Sequence, residues 1–257
     1  MSAAVPVSLD LYISQFICLL GVNLPAMKTL GIIGGMSWES TVLYYQLINR
    51  GIKRELGGLH SAKLLIYSVD FAEIEALQHA GDWDGAGEIL NNVAKSLQAA
   101  GADLLLIATN TMHKVSAQTL AGIDLPLLHI VDPTAAAISE AGFDKVGLLG
   151  TGFTMADDFY KGRMQQQHGI NVLVPNEADQ SVVHRVIYDE LCVGEIKDNS
   201  LSAYLEIIER LVEQGAQAVI LGCTEITLLV KQQHTAVLLF DTTALHAEAA
   251  VTALLED

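Results

Sequence analysis

Gly101-Ala102-Asp103-Leu104-Leu105-Leu106-Ile107-Ala108-Thr109 returns 114 residues later as Gly215-Ala216-Gln217-Ala218-Val219-Ile220-Leu221-Gly222-Cys223. Each copy opens on a glycine turn, continues as a short apolar run, and closes on a side chain with a polar or nucleophilic head. A short unbroken apolar run between turn signals describes a strand buried on both faces, the kind that builds parallel sheets. A second pair agrees: Gly31-Ile32-Ile33-Gly34 returns after 116 residues as Gly147-Leu148-Leu149-Gly150, each followed by a hydroxyl-bearing loop and a helical stretch containing Tyr. Two nearly equal offsets define an internal repeat, two half-chains of one design related by a pseudo-two-fold axis. The repeat makes Thr109 and Cys223 equivalent, each at the carboxyl end of a buried strand. Open α/β sheets place their ligands at that end, so the two residues are expected to face each other across a cleft.

Working outward, short apolar runs alternate with segments of helical period from Met27 onward. Strands are expected at Thr29–Ile33, Lys63–Ser68, Leu104–Ala108, Leu127–Ile130, Lys145–Leu149, Asn171–Val174, Ala218–Leu221 and Val237–Asp241. Helices are expected at Ser40–Arg54, Asp84–Ala100, Pro133–Ala141, Ala156–Gln167, Ser181–Val193, Ser200–Glu213 and Thr243–Leu255. This alternation means βαβ units and an α/β class. The expected architecture is two pseudo-symmetric domains, each a parallel sheet flanked by helices, with the site in the cleft between them. Residues 27–126 with 236–257 are expected to form the first domain and 127–235 the second. Residues 1–26 read as an extension: Leu11 to Leu24 is largely apolar, Asp10 is the only charge before Lys28, and no basic segment precedes the run as a signal peptide requires. The run is also short for a membrane span. Met27 reads as the natural start, with a short amphipathic anchor as the alternative for what precedes it.

Composition removes several function classes. The 257 residues carry 30 Asp+Glu against 14 Lys+Arg, a net charge of −16, which repels phosphate backbones and argues against a nucleic-acid partner. Cys18, Cys192 and Cys223 sit at unrelated spacings that make neither a disulfide framework nor a zinc site, and the eight histidines never adopt ligand spacing. No metal or membrane partner is expected, and a reducing, cytoplasmic setting suits the cysteines. Gly31-x-x-Gly34-Gly35 departs from G-x-G-x-x-G, and Gly150-x-Gly152 meets Met155 where the third glycine belongs, so dinucleotide binding is disfavoured.

The chemistry gathers at the strand ends. Cys223, in Leu221-Gly222-Cys223-Thr224-Glu225, reads either as a buried structural cysteine or as a thiol whose pKa the following backbone N–H groups would lower. Glu225 reads as a helix-start carboxylate or as a group that orients the thiol. Thr109-Asn110-Thr111-Met112-His113 reads as a capped helix start or as a carboxylate cradle, with His113 the one histidine in a candidate site. The loops Gly34-Gly35-Met36-Ser37 and Gly150-Thr151-Gly152-Phe153-Thr154 are expected to form anion nests.

Gly34-Gly35-Met36-Ser37-Trp38-Glu39-Ser40-Thr41, Tyr44-Tyr45, Thr109-Asn110-Thr111-Met112-His113 and Gly222-Cys223-Thr224-Glu225-Ile226 together resemble the cofactor-independent aspartate/glutamate racemase family, over essentially all of residues 27–257. The resemblance implies two pseudo-symmetric α/β domains, a homodimer as the usual assembly, and racemisation of a small anionic amino acid without pyridoxal phosphate. It also implies two cysteines on opposite faces of the α-carbon, of which the second, here Cys223, faces the α-proton of the L substrate. Thr109 stands where that family has its first cysteine. Met36, Gln78, Asn110, Thr111, Thr151, Thr154 and Thr224 match positions that line such sites, Gln78 through the short stretch Asp70-Phe71-Ala72-x-Ile74-Glu75-x-x-Gln78. The alternatives are another carbanion enzyme of the superfamily, a malonate decarboxylase or maleate isomerase, and a non-catalytic amino-acid-binding protein.

Overall fold

The computed structural model describes residues 27–256. The expectations for residues 1–26, Cys18 included, lie outside the described residues. All eight expected strands form. β1 (Thr29–Gly34), β2 (Lys63–Ser68), β3 (Leu104–Ile107) and β4 (Leu127–Leu128) make one parallel sheet in the order β2-β1-β3-β4. β5 (Lys145–Gly150), β6 (Asn171–Leu173), β7 (Ala218–Gly222) and β8 (Leu238–Asp241) make a second in the order β6-β5-β7-β8. The strand order is the same in both halves, as the sequence repeat requires.

The helices are α1 (Trp38–Leu56), α2 (Phe71–Ala80), α3 (Trp83–Ala99), α4 (Ser116–Thr119), α5 (Val131–Glu140), α6 (Gly152–Ala156), α7 (Asp158–His168), α8 (Glu177–Asp189), α9 (Asp198–Glu213), α10 (Ile226–Leu229) and α11 (Thr242–Leu255). Three 3-10 turns add Thr111–Val115, Leu191–Val193 and Gln232–His234. Strand alternation sorts the first core: Leu30, Ile32, Leu104 and Leu106 face α1 and α11, while Ile33, Leu105 and Ile107 face α2 and α3. α1 starts where it does because Ser37 caps it, accepting from the Ser40 amide, with Glu39 in the first turn and Lys53 and Arg54 in the last to oppose the helix dipole. Such a cap contributes about 1 kcal/mol. The repeated glycine at the strand end has a local cause: a Cβ on Gly34 would lie 2.6 Å from the Thr41 side chain, which folds back so that its Oγ1 accepts the Gly35 amide at 2.8 Å.

Two differences from the sequence reading matter. β4 pairs with β3 although it opens the segment assigned to the second domain, and β8 pairs with β7 although it belongs to the segment assigned to the first. The strands stay with their own sheets, and the helices that follow them cross over. α5 packs Val131, Ala135 and Ile138 against Val146, Leu148 and Ile220 of the second sheet, while α11 packs Ala247, Ala250 and Val251 against Leu30 and Ile32 of the first. α1 and α11 approach so closely that a Cβ on Gly51 would run into Val251. The second difference is the expected helix Ala156–Gln167, which breaks at Asp157. That residue is extended (φ −79°, ψ 155°) and accepts Lys114 Nζ at 2.6 Å across the interdomain seam.

Candidate active site

The carboxyl ends of the two sheets face one shared cavity. Thr109, two residues after β3, and Cys223, directly after β7, both line it. Met36, Gln78, Asn110, Thr111, Thr151 and Thr224 line it as well. Thr154 stands behind the wall: fully buried, it lies 3.1 Å from Thr151 Oγ1 and 3.4 Å from Thr111 Oγ1, closing a triangle of hydroxyls that holds Thr111 and Thr151 in place.

Further lining residues escaped the sequence reading: Ser37, Ser40, Phe71, and, from α8 and the 3-10 turn after it, Ile187, Tyr188 and Cys192. Ser37 and Ser40 lie inside the quoted Gly34–Thr41 motif, which was the available signal. Ile187, Tyr188 and Cys192 carry none, because they reach the site only through the packing of α8. No lysine or arginine is among the described residues lining the cavity.

The hydroxyls form a connected system. Ser40 Oγ donates to the Ala108 carbonyl at 3.2 Å and therefore accepts from Thr224 Oγ1 at 2.8 Å, which in turn lies 3.0 Å from Thr243 Oγ1. This chain ties α1, the end of β3, the turn after β7 and the start of α11 to one another. Asn110 is not a side-chain cap. Its Nδ2 donates to Thr242 Oγ1 at 3.1 Å, and Thr242 donates to the Leu221 carbonyl at 3.0 Å. Gln78 Nε2 reaches Met112 Sδ at 3.0 Å. The other amide atoms of these two residues, Asn110 Oδ1 and Gln78 Oε1, are buried without a hydrogen-bond partner. A buried acceptor left unpaired costs roughly 1–3 kcal/mol.

The electrostatics of the thiol reverse the sequence expectation. Burial pushes Cys223 well above the ordinary thiol value, and the Glu225 carboxylate pushes it further, accepting the thiol proton at 3.0 Å. The Glu225 amide does pull the value down, as expected of backbone at a strand end, but it is outweighed. Glu225 is itself held by Ser37 Oγ, which donates to Oε1 at 2.9 Å. Burial likewise pushes Cys192 up to about 12. At rest the sulfur is thus a protonated thiol hydrogen-bonded to a carboxylate.

The two glycine loops are not open anion nests at the amides described. Gly35 N–H goes to Thr41 Oγ1, Ser40 N–H to Ser37 Oγ at 3.3 Å, Gly152 N–H to His184 Nδ1 at 3.1 Å and Thr154 N–H to Thr151 Oγ1 at 3.3 Å. Ser37 and Thr151 take two of these donors as helix caps, and Thr41 and His184, outside the loops, take the other two. His113, expected in the site, lies behind it, 1% exposed.

Solved structures superpose on this chain. A Yersinia pestis protein crystallised as a candidate Asp/Glu racemase is 54% identical, with 90% of this chain and all of that one superposed at a TM-score of 0.85. An aspartate racemase homologue from Pyrococcus horikoshii is 38% identical over 90% of this chain and all of its own, at a TM-score of 0.77. A glutamate racemase of Limosilactobacillus reuteri is 24% identical over 143 residues, 55% of this chain and 52% of that enzyme, so the alignment spans about half its length. The family model for Asp/Glu/hydantoin racemases matches residues 33–250, which run from the end of β1 through both strand-end motifs into α11, and the chain accordingly belongs to that family.

Proposed function

We propose that the protein is a racemase of aspartate, glutamate or a related amino acid that works without pyridoxal phosphate, with Cys223 as the base for the L enantiomer and Thr109 on the opposite face. The observation that carries this reading is the shared cavity: two strand ends related by the repeat present a thiol and an alcohol to one hollow.

The α-proton next to a carboxylate is very weakly acidic, so its removal needs a thiolate at close range and donors aimed at the carboxylate as it gains enolate character. Glu225 is the local acceptor for the thiol proton, and the pair carries one negative charge wherever that proton sits. A substrate ammonium near the pair favours the thiolate. The unpaired oxygens of Gln78 and Asn110 suit that ammonium, while the hydroxyls of Thr111 and Thr151, turned out of their triangle with Thr154, are neutral donors for the carboxylate; Thr224 already spends its proton on Ser40.

In the L to D direction Cys223 Sγ takes the α-proton, and the carbanion takes a proton on its other face from the Thr109 hydroxyl, directly or through a water, with solvent restoring it. Thr109 is a poor base because its hydroxyl stays protonated near neutral pH, so removal from the D side is slow. Enantiomers have equal free energy, hence kcat/KM for complete racemisation is the same in both directions. The asymmetry must appear as α-proton exchange on the L substrate outrunning inversion.

The test is incubation in D2O with a panel of L and D amino acids, acidic and uncharged. Fast deuterium entry into an L amino acid with slow appearance of its D form is expected. Equal exchange on both enantiomers refutes the one-sided site. Carbon dioxide release from a substituted malonate would make the protein a decarboxylase, and tight amino-acid binding without exchange would make it a binder.

A further inference from the structure

His113 belongs to the strand-end motif, yet it does not reach the cavity, and its ring is engaged at both nitrogens. Nδ1 lies 2.8 Å from the Thr109 carbonyl and Nε2 lies 3.2 Å from the Ile130 amide. An amide N–H can only donate, so Nε2 is the acceptor and the ring proton sits on Nδ1, donating to Thr109. Ile130 precedes α5 and follows β4, so it sits on the passage by which the chain leaves the first sheet for the second.

A second imidazole grips the same passage from the other side. His246 on α11 donates from Nε2 to the Leu128 carbonyl at 2.9 Å and accepts the Tyr44 hydroxyl at Nδ1, also at 2.9 Å. The ring of His129 stands between them in sequence, its centroid 4.6 Å from that of His113. His113 differs from His246 in one respect: it also holds the backbone of a residue that lines the cavity.

We propose that His113 is a positioning residue for Thr109, tying the Thr109 carbonyl to the crossover at Ile130 so that the joint between the two halves sets where the Thr109 hydroxyl meets the substrate. This rests on the roles assigned above to Thr109 and Cys223. Removing the tie disturbs reprotonation on the Thr109 face and leaves proton removal at Cys223 in place.

The experiment compares wild type with His113→Leu, His113→Gln and His246→Phe in D2O, reading deuterium entry into the L substrate and formation of the D product separately. In His113→Leu, inversion is expected to fall about tenfold or more while L exchange stays within about twofold, because small misplacements of a reacting group cost rate steeply. Glutamine carries an amide donor and an amide acceptor and is expected to recover most of the inversion. His246→Phe loses thermal stability without changing the ratio of inversion to exchange.

An equal loss of exchange and inversion in His113→Leu overturns the proposal, as does a change of ratio in His246→Phe as large as in His113→Leu. Should His113→Leu fail to fold, the imidazole nitrogen signals assigned to His113 in the wild type decide: a neutral ring protonated on Nδ1 near neutral pH is expected, and a proton on Nε2 overturns the tie. Absence of any L exchange in the wild type instead defeats the functional reading, while the tautomer still reports on the tie.

Discussion

The two strand ends that meet at the cavity share a backbone path and differ in what stands behind them. β3 runs into Thr109, whose carbonyl is held by the imidazole four residues on, and burial keeps that imidazole neutral by lowering His113 to about 4. β7 runs into Cys223, whose sulfur donates to the carboxylate two residues on. Duplication therefore explains the geometry of the site, two faces converging on one hollow, and leaves its charge unexplained. Charge on each face is set by one residue just past the strand, where the two halves no longer match.

The largest effect should come from the charged face. Cys223→Ala is expected to remove both exchange and inversion, by about a thousandfold or more. Isotope exchange on the L substrate measures it directly. Surviving exchange would move the base to Cys192 or Glu225 and break the comparison between the strand ends.

Thr109→Cys makes the two ends chemically alike and should raise deuterium entry into D substrates by about tenfold or more. Unchanged D exchange would mean that the two positions do not act as opposite faces. The same variant is expected to bring exchange and inversion closer together on the L substrate.

A smaller effect concerns the neutral side. Burial lowers His113 to about 4, His246 to about 3 and His129 to about 2. The rings face one another and, beyond them, Tyr44, Asp132 and Arg163. A histidine whose folded value lies below its unfolded value of about 6.5 binds its proton more readily in the unfolded chain. Stability is then fully present above about pH 6.5 and is lost as the pH falls toward the folded values. The expected loss is on the order of 1 kcal/mol per histidine for each pH unit below 6, read from urea midpoints at several pH values. A midpoint that does not move between neutral pH and pH 5 would show these rings to be hydrated.

Much of this was legible in the chain. Leu104–Ile107 and Ala218–Leu221 are apolar without interruption, and nothing but a buried strand accommodates them in that length. The nearly equal offsets of 114 and 116 residues make Thr109 and Cys223 equivalent, and both line the one cavity. What stayed hidden depends on partners distant in sequence. α2, which carries Gln78, scatters Glu73, Glu75 and His79 among apolar residues on every side, so its period is weak. The exchange of α5 and α11 leaves no trace in either helix's own pattern, because an apolar face does not state which sheet it will cover. Of the two readings open for Cys223, the lowered pKa is the one the structure goes against, because backbone dipoles are readable from a strand end, whereas burial and the folding back of Glu225 are not.

The crossing of α5 and α11 has a consequence for how the molecule can be taken apart. A fragment ending at Leu128 would keep its four strands and lose α11, baring Leu30, Ile32, Leu104 and Leu106 to water, and the complementary fragment would carry that helix with nothing to cover. Each half completes its sibling. The two repeats are interlocked like clasped hands, each covering an apolar face of the other.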